Sequence, residues 1–117
     1  MAFRFEGLEI WHLAMAYTEG IYAITARFPP AERYGLVTQL NRAVNSVALN
    51  IAEGSGQSTS RQFNYYLGIA VGSAFEVVAG LFLAQDRDYI DEATRQQLYD
   101  DGEKLARKIN AFRKTLH

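Results

Sequence analysis

Apolar residues recur at spacings of three and four through most of the chain, the period of one face of an α-helix. Leu8, Trp11, Met15, Thr18, Ile21 or Tyr22, and Thr25 mark a first helix over about residues 8–27, and "FPP" stops it. Leu36, Leu40, Ala43, Val47 and Ile51 mark a second over 31–54, with Pro30 suited to its first turn and Gly54 or Gly56 to its end. Phe63, Leu67, Ala70, Ala74, Val77 or Val78, and Leu81 mark a third over 59–85, where Thr59 and Gln62 have the spacing of a capping box. Asp91 reads as the N-cap of a fourth, over 91–116, with Ala93, Leu98, Leu105, Ile109, Phe112 and Leu116 along it. No stretch shows sustained two-residue alternation bounded by turns, so no sheet is indicated. Prolines occur only at 29 and 30, which leaves the helices uninterrupted. Short connections between four long helices predict one all-α domain over residues 1–117, an antiparallel up-down-up-down bundle. At 1.5 Å rise per residue the second and third helices would each be roughly 35 to 40 Å long.

Composition adds boundaries to this picture. With 49% apolar and 21% charged residues the chain is ordinary globular material, and 117 residues suffice for one core but not two. The absence of cysteine excludes disulfides, thiolate metal sites and cysteine nucleophiles. "MAFRFEGLEIW" lacks the form of a signal peptide and no run approaches the roughly 20 apolar residues of a membrane span, so the reading is a cytoplasmic protein of bacterial type without membrane contact. The net charge of −1 draws the chain neither to nucleic acid nor to anionic lipid. Its distribution is uneven: seven acids and two arginines lie between Asp86 and Glu103, and five bases with no acid follow. Matching of a helix dipole accounts for this. The alternative is a basic patch of Lys104, Arg107, Lys108, Arg113 and Lys114 that oligomerisation would multiply.

Two features stand apart from the periodicity. On the second helix Gln39, Arg42, Ser46, Asn50 and Glu53 form a polar stripe that is not the Lys/Glu mixture of a washed surface. On the third, Gly68, Gly72 and Gly80 with Glu76 form a ridge of small surfaces, each glycine costing about 1 kcal/mol relative to alanine. A hairpin turning at residues 56 to 58 sets Arg42 opposite Gly72 and Ser73, one turn from Glu76, and Glu53 opposite Arg61. Ion pairs Arg42–Glu76 and Glu53–Arg61 are therefore expected.

The segments "LEIWHLAM", "FPPAERYGLVTQLNRA", "SVALNIAEG" and "IAVGSAFE" together resemble the four-helix-bundle family of proteins encoded in intervening sequences of bacterial 23S ribosomal RNA genes. Accessory proteins of diversity-generating retroelements belong to the same family. The matching motif positions are Arg42, Ser46, Asn50, Glu53, Gly54, Gly72, Ser73 and Glu76. Two positions depart from the pattern: Ala48 stands where proline is common, and Gln57 where arginine is common, with Arg61 the nearest substitute. The resemblance implies a ring-shaped homopentamer. Retroelement members are strongly basic and bind nucleic acid and reverse transcriptase, whereas this near-neutral chain matches the fold better than that activity.

Three functions follow. A non-enzymatic oligomeric scaffold or adaptor, with itself as partner and no cofactor, ranks first. An accessory protein binding structured RNA or a nucleoprotein through the five bases of the last helix ranks second. An enzyme ranks third: "EIWH" places Glu9 and His12 one helical turn apart, but a di-iron site needs a second such pair and two more carboxylates. No catalytic residue and no metal ligand is assigned. "GSGQSTS" lacks the lysine and the preceding strand of a phosphate loop, so "NIAEGSGQSTSRQF" reads as a corner between helices.

Overall fold

The computed structural model describes residues 1–117, all of them α-helix, short 3-10 turns or connections, with no strand. Four helices follow in order, α1 (Glu9–Thr25), α2 (Leu36–Ser55), α3 (Ser60–Asp86) and α4 (Glu92–Arg113), preceded by a 3-10 turn at Arg4–Gly7. They form a rod of 44 × 23 × 22 Å. Along every neighbouring pair of helices, residue numbers run in opposite senses. Thr25 and Tyr22 of α1 meet Asn41 and Asn45 of α2, Leu40 and Gly54 of α2 meet Gly80 and Phe63 of α3, and Gln85 and Asn64 of α3 meet Arg95 and Arg113 of α4.

Caps fix the helix ends where the sequence places them. Thr59 Oγ1 accepts the Gln62 N–H at 3.1 Å, and Asp91 Oδ1 accepts the Thr94 N–H at 2.7 Å. The second helix starts five residues later than expected. Pro30 opens a separate 3-10 turn, Pro30–Glu32, and the Glu32 carboxylate then folds back to accept the Leu36 N–H at 3.1 Å, capping α2 there. The last helix ends at Arg113 rather than 116.

The core stripes of α2 and α3 are those the periodicity gives: Leu36, Leu40, Ala43, Val47 and Ile51 against Phe63, Leu67, Ala70, Ala74, Val77 and Leu81, all buried. On α1 the stripe is shifted. Ile10, Ala14, Tyr17, Ile21 and Thr25 are buried, while Met15 and Tyr22 are exposed and Trp11 flanks the core against Phe5, ring centres 4.8 Å apart. Ile21 and Thr25 lie where the periodicity puts them, while large side chains at 11 and 15 disguised the part of the stripe that Ile10, Ala14 and Tyr17 supply. Ala93 of α4 is likewise exposed, whereas Leu98, Leu105 and Ile109 are core.

One helix differs from expectation in kind. By length and composition α3 is apolar enough to cross a membrane, with only 39% of its most apolar 18 residues buried within the chain. The core takes one side of it and leaves an apolar outer side.

Candidate interaction surfaces

The polar stripe of α2 divides into an inner and an outer row. Ser46 and Asn50 are inner. Asn50 Nδ2 donates to the Ser46 carbonyl at 2.8 Å and to Ser46 Oγ at 2.9 Å, and Ser73 Oγ donates to Ser46 Oγ at 2.8 Å. This chain of bonds stitches α2 to α3 at half-buried depth, so three of the motif residues are structural. Gly54 is buried in the same seam, where an added Cβ would lie 2.8 Å from Tyr66 Cβ and 2.9 Å from Phe63 Cδ1. Gly80 has a comparable role, since a Cβ there would lie 2.6 Å from Leu40 Cδ2.

Arg42, Glu53 and Glu76 are outer and exposed. Neither expected ion pair forms: the four salt bridges of the structure join Arg87–Glu32, Arg95–Glu92, Arg107–Glu103 and Lys108–Glu9. The register explains the absence of Glu53–Arg61 alone; with Ser46 opposite Ser73 and Leu40 opposite Gly80, Arg42 and Glu76 stand near one another across the seam and still form no ion pair. The first turn of α3 overhangs the end of α2, so that Ser46, not Arg42, meets Ser73, about one turn away from the symmetric hairpin. Glu53 and Arg61 both turn to solvent, and the Glu53 carbonyl instead receives Gln57 Nε2 at 3.1 Å. Gln57, standing where relatives often carry arginine, thus closes the corner rather than gripping an anion.

Around Arg42 lies a shallow groove of about 790 Å³ along α2, lined among others by Tyr34, Asn45, Ser46, Leu49 and Glu53. Beside it the outer side of α3 carries Tyr65 (66% exposed), Ile69 (37%) and Leu83 (46%), and, toward α4, Phe75 (67%) and Phe82 (47%). Gly72 sits in this face with nothing within 4 Å of where its Cβ would be. The three ridge glycines therefore separate: Gly80 is required by packing, Gly68 lies under Arg113, and Gly72 is open.

The four bases of α4 and Lys114 just past its end do not form one row. Lys108 Nζ reaches α1 to Glu9 at 3.4 Å, Arg107 pairs with Glu103 on its own helix at 3.4 Å, and Arg113 Nε donates to Asn64 Oδ1 of α3 at 2.6 Å. Lys104 and Lys114 are exposed and outside any ion pair. Glu9 is engaged by Lys108, and His12 Nε2 shares a hydrogen bond of 2.7 Å with the Glu6 carbonyl. No third ligand gathers with these two residues.

Two features had no local signal in the sequence. Glu32 accepts the Tyr89 hydroxyl at 2.7 Å and Arg87 Nη1 at 3.1 Å, binding the α1–α2 connection to the α3–α4 connection. The Tyr89 hydroxyl, then the Leu36 N–H and the Arg87 guanidinium, hold the Glu32 carboxyl below the usual carboxylate range, and the same bond raises the Tyr89 phenol. These partners are 55 and 57 residues away in the chain. Tyr17 is the other: its hydroxyl is buried beside Gly102 with no hydrogen-bond partner, and burial, followed by the Asp101 carboxylate, pushes its phenol up.

Four helices around a single core, with an apolar outer face on α3 and a polar groove on α2, define an all-α protein of four helices. The profile of the 23S rRNA-intervening sequence proteins matches residues 6–111, and the chain belongs to that family. Among solved structures, it is similar to a protein of unknown function from the S23 ribosomal protein family of Bacteroides thetaiotaomicron, with a TM-score of 0.83 at 18% identity, over 90% of this chain and 98% of that one. At that identity the likeness is one of fold. No curated protein matches the sequence.

Proposed function

We propose that the protein is a non-enzymatic scaffold or adaptor of the bacterial cytoplasm that works as an assembly of identical copies, each an antiparallel up-down-up-down bundle. The family resemblance supports a homopentamer as that assembly. The opposed numbering across each helix pair supports the topology. The observation that carries the function is the outer side of α3, where Ile69, Phe75, Phe82 and Leu83 remain exposed on a helix with only 39% of its most apolar stretch buried. Large apolar side chains left exposed on a chain that is otherwise well packed favour a contact there. Light scattering at micromolar concentration tests it: an assembly of defined mass is expected, and a stable monomer refutes the reading.

A second reading, binding of structured RNA or a nucleoprotein, is favoured by the sorting of charge along the rod. Arg4, which lies 5.0 Å over the Phe63 ring, gathers with Arg61, Arg113 and Lys114 at the end holding the α2–α3 turn. Asp86, Asp88, Asp91 and Glu92 lie at the other end, where Arg87 and Arg95 are held in ion pairs with Glu32 and Glu92. In a ring of parallel subunits all basic ends share one face. Such binding weakens steeply with salt through counterion release. Its absence even at low salt would exclude this role and leave the scaffold reading standing.

A further inference from the structure

We propose that copies of this chain join through the outer face shared by α2 and α3, and that Arg42 of one copy pairs with Glu76 of the next. The inference rests on the oligomeric reading above and adds to it the surface that does the joining and the charge pair that sets its register.

The face has two halves of different chemistry. The α3 half is apolar, with Ile69 and Leu83 exposed, and Glu76 is the one charge on that helix between Arg61 and Asp86. The α2 half is the groove around Arg42, and Arg42 is the one charge on its helix before Glu53. Both groups are exposed and neither is ion-paired within the chain. An apolar face bearing a single carboxylate cannot be covered by an apolar partner, because the charge would be stranded without water or counterion. It needs a partner that brings one cation in a polar setting. The α2 groove is such a surface, and it carries the complementary charge.

Two further observations favour a second copy over a lipid surface. Gly72 lies beside Glu76 in the face, and no contact within the chain requires it to lack a side chain. A glycine in mid-helix costs about 1 kcal/mol, and the open space beside it admits a partner's backbone or side chain. Lipid fits only the α3 half. Insertion deep enough to cover Ile69 and Leu83 would bring Arg42, Asn50 and Glu53 of α2 toward hydrocarbon, where polar groups are expensive. A ridge on α3 seated in a groove on α2 joins unlike patches, so the contact repeats from copy to copy and closes into a ring when the rotation permits.

The test uses the full chain and its charge-reversed variants Arg42→Glu and Glu76→Arg, read by native mass spectrometry and light scattering. Each single variant should dissociate at least about tenfold more readily than wild type, since it places like charges across the contact. Mixing the two singles should yield hetero-oligomers containing both masses, because each chain then offers the other an opposite charge. A closed ring of five retains one like-charge contact, so recovery is partial, whereas the double variant carries opposite charges at every contact and recovers fully. Both positions are exposed, and unchanged helical circular dichroism in the singles establishes that folding is intact; Arg42→Gln and Glu76→Gln give the same direction with smaller loss. Singles that assemble like wild type overturn the proposal while leaving an oligomeric scaffold by another surface. Rescue by the double variant within one chain with no mixed species at all on combining the singles also overturns it, since the pair would then be internal. Wild-type chain that floats with neutral phospholipid vesicles assigns the face to lipid. A monomeric wild type removes the underlying reading itself.

Discussion

A Cβ built on Gly54 would sit 2.8 Å from the Cβ of Tyr66, closer than the two helices can tolerate. Tyr66 Cβ is fixed to the α3 backbone and cannot rotate away, so the absence of a side chain at 54 sets the separation of α2 and α3 at their closed end. Gly54→Ala should therefore destabilise the fold by about 1 to 3 kcal/mol, the usual cost of overpacking, despite alanine's better helix propensity. Urea unfolding of the two proteins checks this. Equal midpoints would mean that the seam is looser than its geometry.

Gly72, on α3, is the opposite case. With nothing within 4 Å of its Cβ position, Gly72→Ala should leave the single chain intact and raise helix stability by up to about 1 kcal/mol. The larger Gly72→Leu should retain the fold yet weaken self-association, a split visible by comparing thermal melting with sedimentation. Loss of folding in both variants would show that Gly72 has a packing partner within the chain.

The Tyr17 hydroxyl is buried without a partner, and an unsatisfied buried donor costs about 1 to 3 kcal/mol. Tyr17→Phe should stabilise the protein, by about 1 kcal/mol, or about 4 °C in melting temperature at this size. Because the folded phenol is raised above its unfolded value of about 10, it favours folding below that pH, and this contribution is lost as pH rises past it. The variant should thus resist alkaline unfolding better than the parent. A lower melting temperature would indicate that an ordered water satisfies the hydroxyl.

Glu32 has the reverse sign. Its carboxyl is depressed chiefly by the Tyr89 hydroxyl, so its contribution is present above the unfolded carboxylate value of about 4.3 and is lost as pH falls through the lower folded value. Tyr89→Phe removes the first cause and Glu32→Gln the titrating group. Both should flatten the fall in melting temperature as pH drops below the unfolded carboxylate value of about 4.3. A fall as steep as in the parent would mean that other carboxylates dominate acid unfolding.

The contrast among these residues shows what a linear sequence can convey. Leu40, Val47 and Ile51 against Leu67, Ala74 and Leu81 were legible because buried apolar side chains repeat at the helical period. Thr59 and Asp91 were legible because a cap is a contact over three residues. The α1 stripe was legible only in part: Ile21 and Thr25 fall on it, but Ala14 is small and Ile10 and Tyr17 are displaced from the expected positions, while Met15 is large and exposed. Pairing across helices was harder still. A shift of one turn in how α3 overhangs α2 exchanges Arg42 for Ser46 opposite Ser73, and nothing in the spacing of either helix encodes that shift. Glu32 and Tyr89 meet only because two connections lie at the same end of the rod.

The outer sides of α2 and α3 leave Arg42 and Glu76 without partners in the chain, and the account stands on what covers them. The solution mass of the purified wild-type chain by light scattering, at micromolar concentration and physiological salt, addresses this most directly. The account predicts a single species at an integer multiple of the 13.2 kDa chain mass, five-fold for the pentamer. A homogeneous species at the mass of one chain would contradict it.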